Sequence, residues 1–203
     1  GDANIVEDGD AYACHHLVRT RSASRGLVRN SQCDGGPGYT AYMRQTYNGW
    51  PHGRGIFFEG TTVSFEAYGN NFTRLTEGIS GYTSGQSSNP LINRNVDIHD
   101  NELSWLSDDA GEIDGFGGNF GFFNNYVHDV FDGLSLAPLR GGPAYVFKNR
   151  FAHLHRMQPM GWSEGTVIKT GANSDGLCYF FHNSVWSPPK NGATTNGISV
   201  WAS

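Results

Sequence analysis

Along the chain, apolar and aromatic residues gather in short runs broken by glycine and asparagine. Four of these runs are Val96-Asp97-Ile98-His99, Phe120-Gly121-Phe122-Phe123, Ala144-Tyr145-Val146-Phe147 and Cys178-Tyr179-Phe180-Phe181. Each is β-prone and leads into a polar turn, the pattern of a short strand. A helix would place apolar residues at i, i+3, i+4 and i+7 over a dozen positions, and these runs are too short for that. The pattern predicts an all-β chain.

The runs also repeat. Five asparagines share one local setting: an apolar run, then Asn, then any residue, then an apolar residue. They are Asn70 (before Phe72), Asn101 (Leu103), Asn125 (Val127), Asn149 (Phe151) and Asn183 (Val185), separated by 31, 24, 24 and 34 residues. A second element recurs out of phase: Glu77-Gly78-Ile79-Ser80, Asp132-Gly133-Leu134-Ser135 and Asn196-Gly197-Ile198-Ser199. Looser versions are Arg54-Gly55-Ile56-Phe57 and Glu164-Gly165-Thr166-Val167. Gly117-Gly118 and Gly141-Gly142 stand 24 apart, as do Asp108 and Asp132. Self-similarity at this period marks a stack of repeats. Each repeat holds two or three strands, and about 24 residues at roughly 3.3 Å each make one flattened turn. Stacking such turns predicts a single-stranded parallel β-helix of about five to six coils. Asn suits its corners, because it tolerates left-handed backbone and stacked amides can form a hydrogen-bonded ladder. The separations of 31 and 34 place loop insertions at 81–90 and 155–164.

Composition narrows the classes. The 203 residues suffice for one domain with a real core. There are 28 glycines, 17 asparagines and only three lysines, too little Lys for a helix-rich protein. Aromatics at 13% argue against disorder. A net charge of −5 argues against nucleic-acid binding by phosphate neutralisation. No window reaches the roughly 18 apolar residues of a membrane span. Cys14 and Cys33 could close a disulfide, whereas Cys178 in its apolar run reads as a buried structural thiol. Low Lys, high Gly, Asn and aromatics, and that cysteine pair point to a secreted, periplasmic or cell-surface protein.

Residues 1–50 do not fit the repeat and read as an irregular N-terminal cap, leaving 51–203 as the repeating domain. Asn196-Gly197-Ile198-Ser199-Val200-Trp201 begins another coil, so a partner chain or a further segment is expected to cover that edge.

The stretches Ser107–Gly115, Asn125–Asp129, Gly133–Pro138, Gly141–Val146 and Ile168-Lys169 followed by His182-Asn183-Ser184 resemble right-handed parallel β-helix repeat proteins of exported bacterial, pectin-lyase-like type. The resemblance covers about residues 54–200 and implies right-handed winding. It is specific for the fold and not for the function, because this fold carries polysaccharide lyases, hydrolases, epimerases, phage tailspikes and adhesins.

Candidate chemistry lies in the acidic cluster Asp108, Asp109, Glu112 and Asp114. With Ile113 inward, alternation sends Glu112 and Asp114 outward on one face, about 7 Å apart. A strict 24-residue overlay instead sets Glu112 over Leu136, a conflict that a one-residue bulge near Gly111 removes. Lys169, outward beside Ile168, is expected roughly 10 Å from Glu112, with Ser135 or Ala137 between. Arg140, His128 and Asp129 lie on nearby turns. Catalysis is expected from Lys169, Arg140, Glu112 and Asp114, and substrate binding from Asp108, Asp109 and His128. A lyase needs a positive group or calcium to neutralise a uronate, and a base for the α-proton. A hydrolase needs two carboxyl groups. Asp108-Asp109 with Ile168-Lys169-Thr170 resembles two polygalacturonase motifs, but Val167 stands at the Arg position and no Gly-His-Gly is present. Glu112-Ile113-Asp114 resembles the spaced acidic calcium ligands of alginate and chondroitin lyases of this fold, without their following Lys. The expected function is cleavage of an acidic polysaccharide by lyase or hydrolase chemistry. The alternative is a non-catalytic surface or assembly scaffold. Candidate metal pairs at His153/His155 and His15-His16 lack a third ligand in the sequence.

Overall fold

The computed structural model describes residues 4–13, 16–36, 53–81, 93–154, 165–171, 174–186 and 196–200. Among them are twenty strands and no helix. The first five are β1 (Asn4–Glu7), β2 (Asp10–Tyr12), β3 (His16–Ala23), β4 (Gly26–Arg29) and β5 (Gln32–Asp34). Next come β6 (Arg54–Tyr68), β7 (Asn71–Thr73), β8 (Glu77–Ser80), β9 (Asn93–His99), β10 (Glu102–Ser104) and β11 (Asp109–Glu112). β12 (Gly118–Phe123), β13 (Tyr126–His128), β14 (Asp132–Leu136), β15 (Ala144–Phe147) and β16 (Arg150–Ala152) follow. The last are β17 (Thr166–Thr170), β18 (Cys178–Phe181), β19 (Ser184–Trp186) and β20 (Asn196–Val200).

One sheet of thirteen strands runs β18-β15-β12-β9-β6-β8-β11-β14-β17-β20, with β1, β3 and β4 attached on the β6 side. A second, of seven, runs β19-β16-β13-β10-β7-β5-β2. Every described pairing is parallel. The 15-residue β6 pairs with β8 through its first half and with β9 through its second, carrying the large sheet around a corner. The sheets curl around one core.

Three inward columns fill that core. Register stacks Val28, Ala67, Ile98, Phe122 and Val146 in one column. A second holds Cys33, Phe72, Leu103, Val127 and Phe151. The third holds Ile56, Ile79, Gly111, Leu134 and Ile168. All fifteen are buried, and each large side chain among them contributes roughly 1.5–3 kcal/mol of apolar burial. Glycine at the second position of the recurring element has a packing reason. A Cβ on Gly133 would lie 2.9 Å from the Phe151 ring and 2.5 Å from the Val167 carbonyl.

The asparagine ladder exists and is continuous. Asn70 Nδ2 donates to Asn101 Oδ1 at 2.9 Å, Asn101 to Asn125 at 3.0 Å, Asn125 to Asn149 at 3.1 Å and Asn149 to Asn183 at 2.9 Å. Each receiving Oδ1 also accepts the backbone N–H of the preceding ladder residue. The second amide hydrogen goes to a strand carbonyl, such as Ile98 O for Asn125. The left-handed backbone expected at these asparagines belongs instead to the residue before each: Gly69, Asp100, Asn124, Lys148 and His182, with φ between 55° and 65°. The turn is made one position early, and that aims the ladder amide inward.

Residues 4–34, expected within a cap, supply β1–β5 and pair in parallel with the same sheets. Ser31 stands at the next ladder position, its N–H donating to Asn70 Oδ1 at 3.0 Å. The expected insertions 81–90 and 155–164 lie outside the described residues apart from Gly81, as do Cys14, His15 and His155. Cys178, expected buried, is exposed. It occupies the column of Phe120 and Ala144, but β18 is an edge strand of its sheet. Val185, in the column of Phe151, is 49% exposed for the same reason.

Candidate functional site

The recurring four-residue element builds the site. Its first position stacks Arg54, Glu77, Asp109, Asp132 and Thr166. Its fourth stacks Phe57, Ser80, Glu112, Ser135 and Lys169. The pairing resolves the conflict over Glu112. β11 meets β14 with Asp109 opposite Asp132 and Glu112 opposite Ser135, an offset of 23 residues. Flanking strands keep an offset of 24, as Leu103 opposite Val127 and Phe122 opposite Val146 show. The offset changes between Ser104, opposite His128, and Asp109, and is back to 24 at Phe120, opposite Ala144; the pairing through Ala110 and Gly111 is regular, so the bulge expected near Gly111 is not there. Glu112 points outward as local alternation requires, Ile113 is buried, and Ser135 separates Glu112 from Lys169.

Two sets of polar contacts cross these columns. Lys169 Nζ donates to Asp109 Oδ2 at 2.9 Å and lies 3.6 Å from Asp132 Oδ2. The Lys169 side chain is 20% exposed and that of Asp109 only 1%. Burial opposes the ammonium charge, but Asp109, Asp108 and Asp132 outweigh it and lift the Lys169 pKa. Burial pushes the Asp109 carboxyl up; Lys169 pulls it back, while Asp108 and Asp132 add to the rise. The second set is Glu112 with Glu77, whose carboxyl raises the Glu112 pKa. Burial, then Glu77, Asp109 and Asp114, drive the Glu112 pKa far above the carboxylate range. Arg54 grips Glu77 with two bonds, Nε to Oε2 at 2.5 Å and Nη2 to Oε1 at 3.1 Å.

Asp114 Oδ1 accepts from Ser135 Oγ and from the Ala137 N–H, both at 2.7 Å. Burial raises its pKa while these two donors favour its ionised form. At the pair expected to hold calcium, Asp114 Oδ1 is already taken by two donors. The acidic oxygens that do converge belong to Asp108, Asp109 and Asp132, within 4.8 Å of one another, and Lys169 supplies the positive charge there.

The structure thus unites Asp108, Asp109, Glu112, Asp114 and Lys169. Arg140 and His128 are placed elsewhere. Arg140 Nη1 faces Asp175 Oδ2 at 4.0 Å, on the turn after β14. His128 lies on β13 of the seven-stranded sheet, held by Asp129 at 2.8 Å and Glu102 at 3.1 Å and stacked on Tyr126. Sequence reasoning missed Glu77, Arg54 and Asp132 as members of the site. The signal was present, since all three open the recurring Gly-containing element and must share one column. Glu164-Gly165-Thr166-Val167 obscured it, because the true alignment starts two residues later, at Thr166.

Compared with protein-family models, curated proteins and solved structures, the chain finds no match. Among the described residues no helix is long and apolar enough to cross a membrane.

Proposed function

We propose that this protein is a right-handed parallel β-helix, exported from the cell, that binds and cleaves a polysaccharide on the wall built by β8, β11, β14 and β17. The observation that carries this reading is the meeting of Glu112 and Asp114 at Ser135: burial pushes both carboxyls up, but Ser135 Oγ and the Ala137 N–H favour the ionised form of Asp114. Two carboxyl groups whose environments separate their pKa values are the acid and the base of glycoside hydrolysis. Glu112 gives its proton to the glycosidic oxygen as the C–O bond breaks. Asp114 takes a proton from the water whose oxygen forms the new bond to the sugar carbon.

Hydrolysis fits better than elimination. Elimination needs a cation available to a uronate, yet Lys169 is engaged by Asp109 and Asp132 and Arg54 by Glu77. The acids Glu77, Asp108, Asp109, Glu112, Asp114 and Asp132 outnumber those two cations, which favours a neutral glycan over the acidic polysaccharide expected from sequence. The test is a panel of neutral and uronate glycans assayed for new reducing ends and for unsaturated products. Reducing ends from a neutral glycan, lost in Glu112→Gln, support the reading. Unsaturated uronate products overturn the hydrolytic assignment, and no cleavage of any glycan overturns catalysis.

One observation favours a scaffold as the second reading. Leu177, Val185 and Trp186 are 65%, 49% and 62% exposed on and beside β18 and β19, an apolar edge suited to assembly. Concentration-dependent association without cleavage would select it.

A further inference from the structure

We propose that this chain binds a second copy of itself end to end: the last layer of one molecule, β18, β19 and β20, docks on the first layer of the next, β1, β2 and β3, so that the sheets run on through the joint. The inference concerns the two ends of the stack and does not depend on the chemistry of the wall.

The argument begins with where apolar surface is left uncovered. Among the described residues nine large hydrophobic side chains are exposed, and seven of them lie on or beside the two end layers. Ile5 and Tyr12 are on the first layer, and the other five run from Leu177 to Trp186 at the last. The core columns are also open there: Val6 and Ala11 at one end and Phe180 at the other are only half-buried. Among the described residues the sheets end in β18, β19 and β20 on one side and in β1, β2 and β3 on the other. A stack of repeats needs polar end layers to stay apart from its neighbours, and a bare strand edge is a template for a further strand.

The second step is register. Strand pairing carries one inward column from Val6 to Phe180 and the outer column beside it from Ile5 to Tyr179. It carries another inward column from Ala11 to Val185 and its outer neighbour from Tyr12 to Trp186. A second copy added at one layer spacing, about 4.8 Å, therefore sets Phe180 on Val6, Tyr179 on Ile5, Val185 on Ala11 and Trp186 on Tyr12, apolar on apolar at all four. Charge sets the direction. The first layer carries Glu7, Asp8 and Asp10, whereas residues 177–186 carry no carboxylate and one group able to be cationic, His182. His182 and Asp8 hold the same left-handed turn position, at φ 55° and 52°, so the joint sets one over the other. Two first layers face to face would oppose three acids to three, an arrangement that like charge disfavours. The ladder does not cross the joint. Gly9, whose N–H donates to Ser31 Oγ at 3.0 Å, closes that column without an amide. Each copy keeps one free end of each kind, so the product is an open filament. The seven-stranded sheet gives one strand to each layer, and seven layers at about 4.8 Å add roughly 34 Å per copy.

The test is sedimentation of the whole chain over a wide range of concentration, with electron microscopy of the largest species. The wild type is expected to grow past the dimer into filaments with an axial repeat of roughly 34 Å. Tyr12→Lys damages the first layer alone and Trp186→Lys the last layer alone. Both residues are more than half exposed, so the monomer is expected to stay folded, which thermal melting checks. Each variant by itself is expected to remain monomeric. An equal mixture of the two is expected to form a dimer and nothing larger, because one sound joint is left between them. Ile5→Lys and Tyr179→Lys repeat the design on the neighbouring sheet should either of the first two not fold. A wild type that is monomeric at every concentration overturns the inference, and is the result if another segment or another protein covers these ends. A dimer that survives in Tyr12→Lys and is lost in Trp186→Lys overturns it as well, since that contact joins two last layers symmetrically. Filaments without glycan cleavage overturn the enzymatic reading alone and leave the joint standing.

Discussion

Two columns of polar residues run along this molecule, and they are built on opposite plans. The asparagine ladder repeats one residue from Asn70 to Asn183, and every described amide in it has its partners. The wall changes residue at each step, from Arg54 to Glu77, Asp109, Asp132 and Thr166. It accumulates like charge and leaves buried polar atoms without a hydrogen-bond partner, including Asp109 Oδ1 and Ser80 Oγ. Uniform stacking maximises satisfaction and therefore stability, whereas variation at a stacked position creates the unbalanced charges that chemistry needs. A half-buried aromatic column follows the uniform plan. Tyr68, His99, Phe123, Phe147 and Phe181 stack nearly parallel, with centroids 4.6–5.1 Å apart. Their ring faces cover one another, so the column stabilises the sheet rather than offering platforms to sugars.

The contrast breaks most visibly at Glu112. Glu112→Gln should lower glycan cleavage by roughly 10²–10⁴-fold, the usual worth of a general acid, and yet raise the melting temperature at pH 8. The sign follows from linkage: a carboxyl whose folded pKa lies above its unfolded one loses stability as pH rises, and the amide does not titrate. A melting temperature that falls at pH 8 would show that this carboxyl supports the fold. Asn125→Ala should have the opposite character. It strands the Asn101 N–H and its side-chain amide hydrogen, and at about 1–3 kcal/mol for each orphaned group unfolding should be easier by about 3 kcal/mol, measured in urea. Lys169→Ala mixes the two plans. Activity and melting temperature should both drop, since Asp109 is left buried without its ammonium. Unchanged melting would show that this ion pair does not hold the wall.

Smaller effects sharpen the comparison on the uniform side. His99 is pressed toward neutrality by burial, but Asp100 at 2.6 Å and Glu66 at 2.9 Å outweigh that and raise its pKa. Its contribution is full below the ordinary histidine range and fades as pH climbs through the raised folded value. His99→Gln should flatten this part of the pH–stability curve, and an identical slope would remove His99 as its cause. Lys148, exposed at φ 57°, should gain on replacement by Gly, since left-handed backbone costs a side-chain-bearing residue about 1–2 kcal/mol. Thermal melting reads that change.

The ladder was legible because identical residues at fixed separation require no knowledge of which way a side chain points. The aromatic column could have been found the same way, since each member stands two residues before a ladder asparagine. Alternation around Ile113 sends Glu112 outward, in keeping with its register opposite Ser135, whereas Asp114 belongs to the turn after β11. The wall was harder, because its members differ in type and its register is 23 residues rather than 24. A 24-residue overlay sets Asp132 on Asp108, but its partner in the sheet is Asp109. His128 and Arg140 looked near the cluster along the chain, but an intervening bend puts each on another side. Distance along a folded repeat is set by column, not by sequence number.

The 24-residue spacing between Asn101 and Asn125 makes this protein modular in length. Excising residues 102–125 as one block would leave Asn101 facing Asn149 and keep the amide chain unbroken. The same cut would carry away Asp109, Glu112 and Asp114 together. Adding a layer between Glu77 and Glu112 would part those two by about 4.8 Å, silencing the pair with every individual side chain intact. Growth and shrinkage by whole layers are thus mild for the framework and decisive for the chemistry.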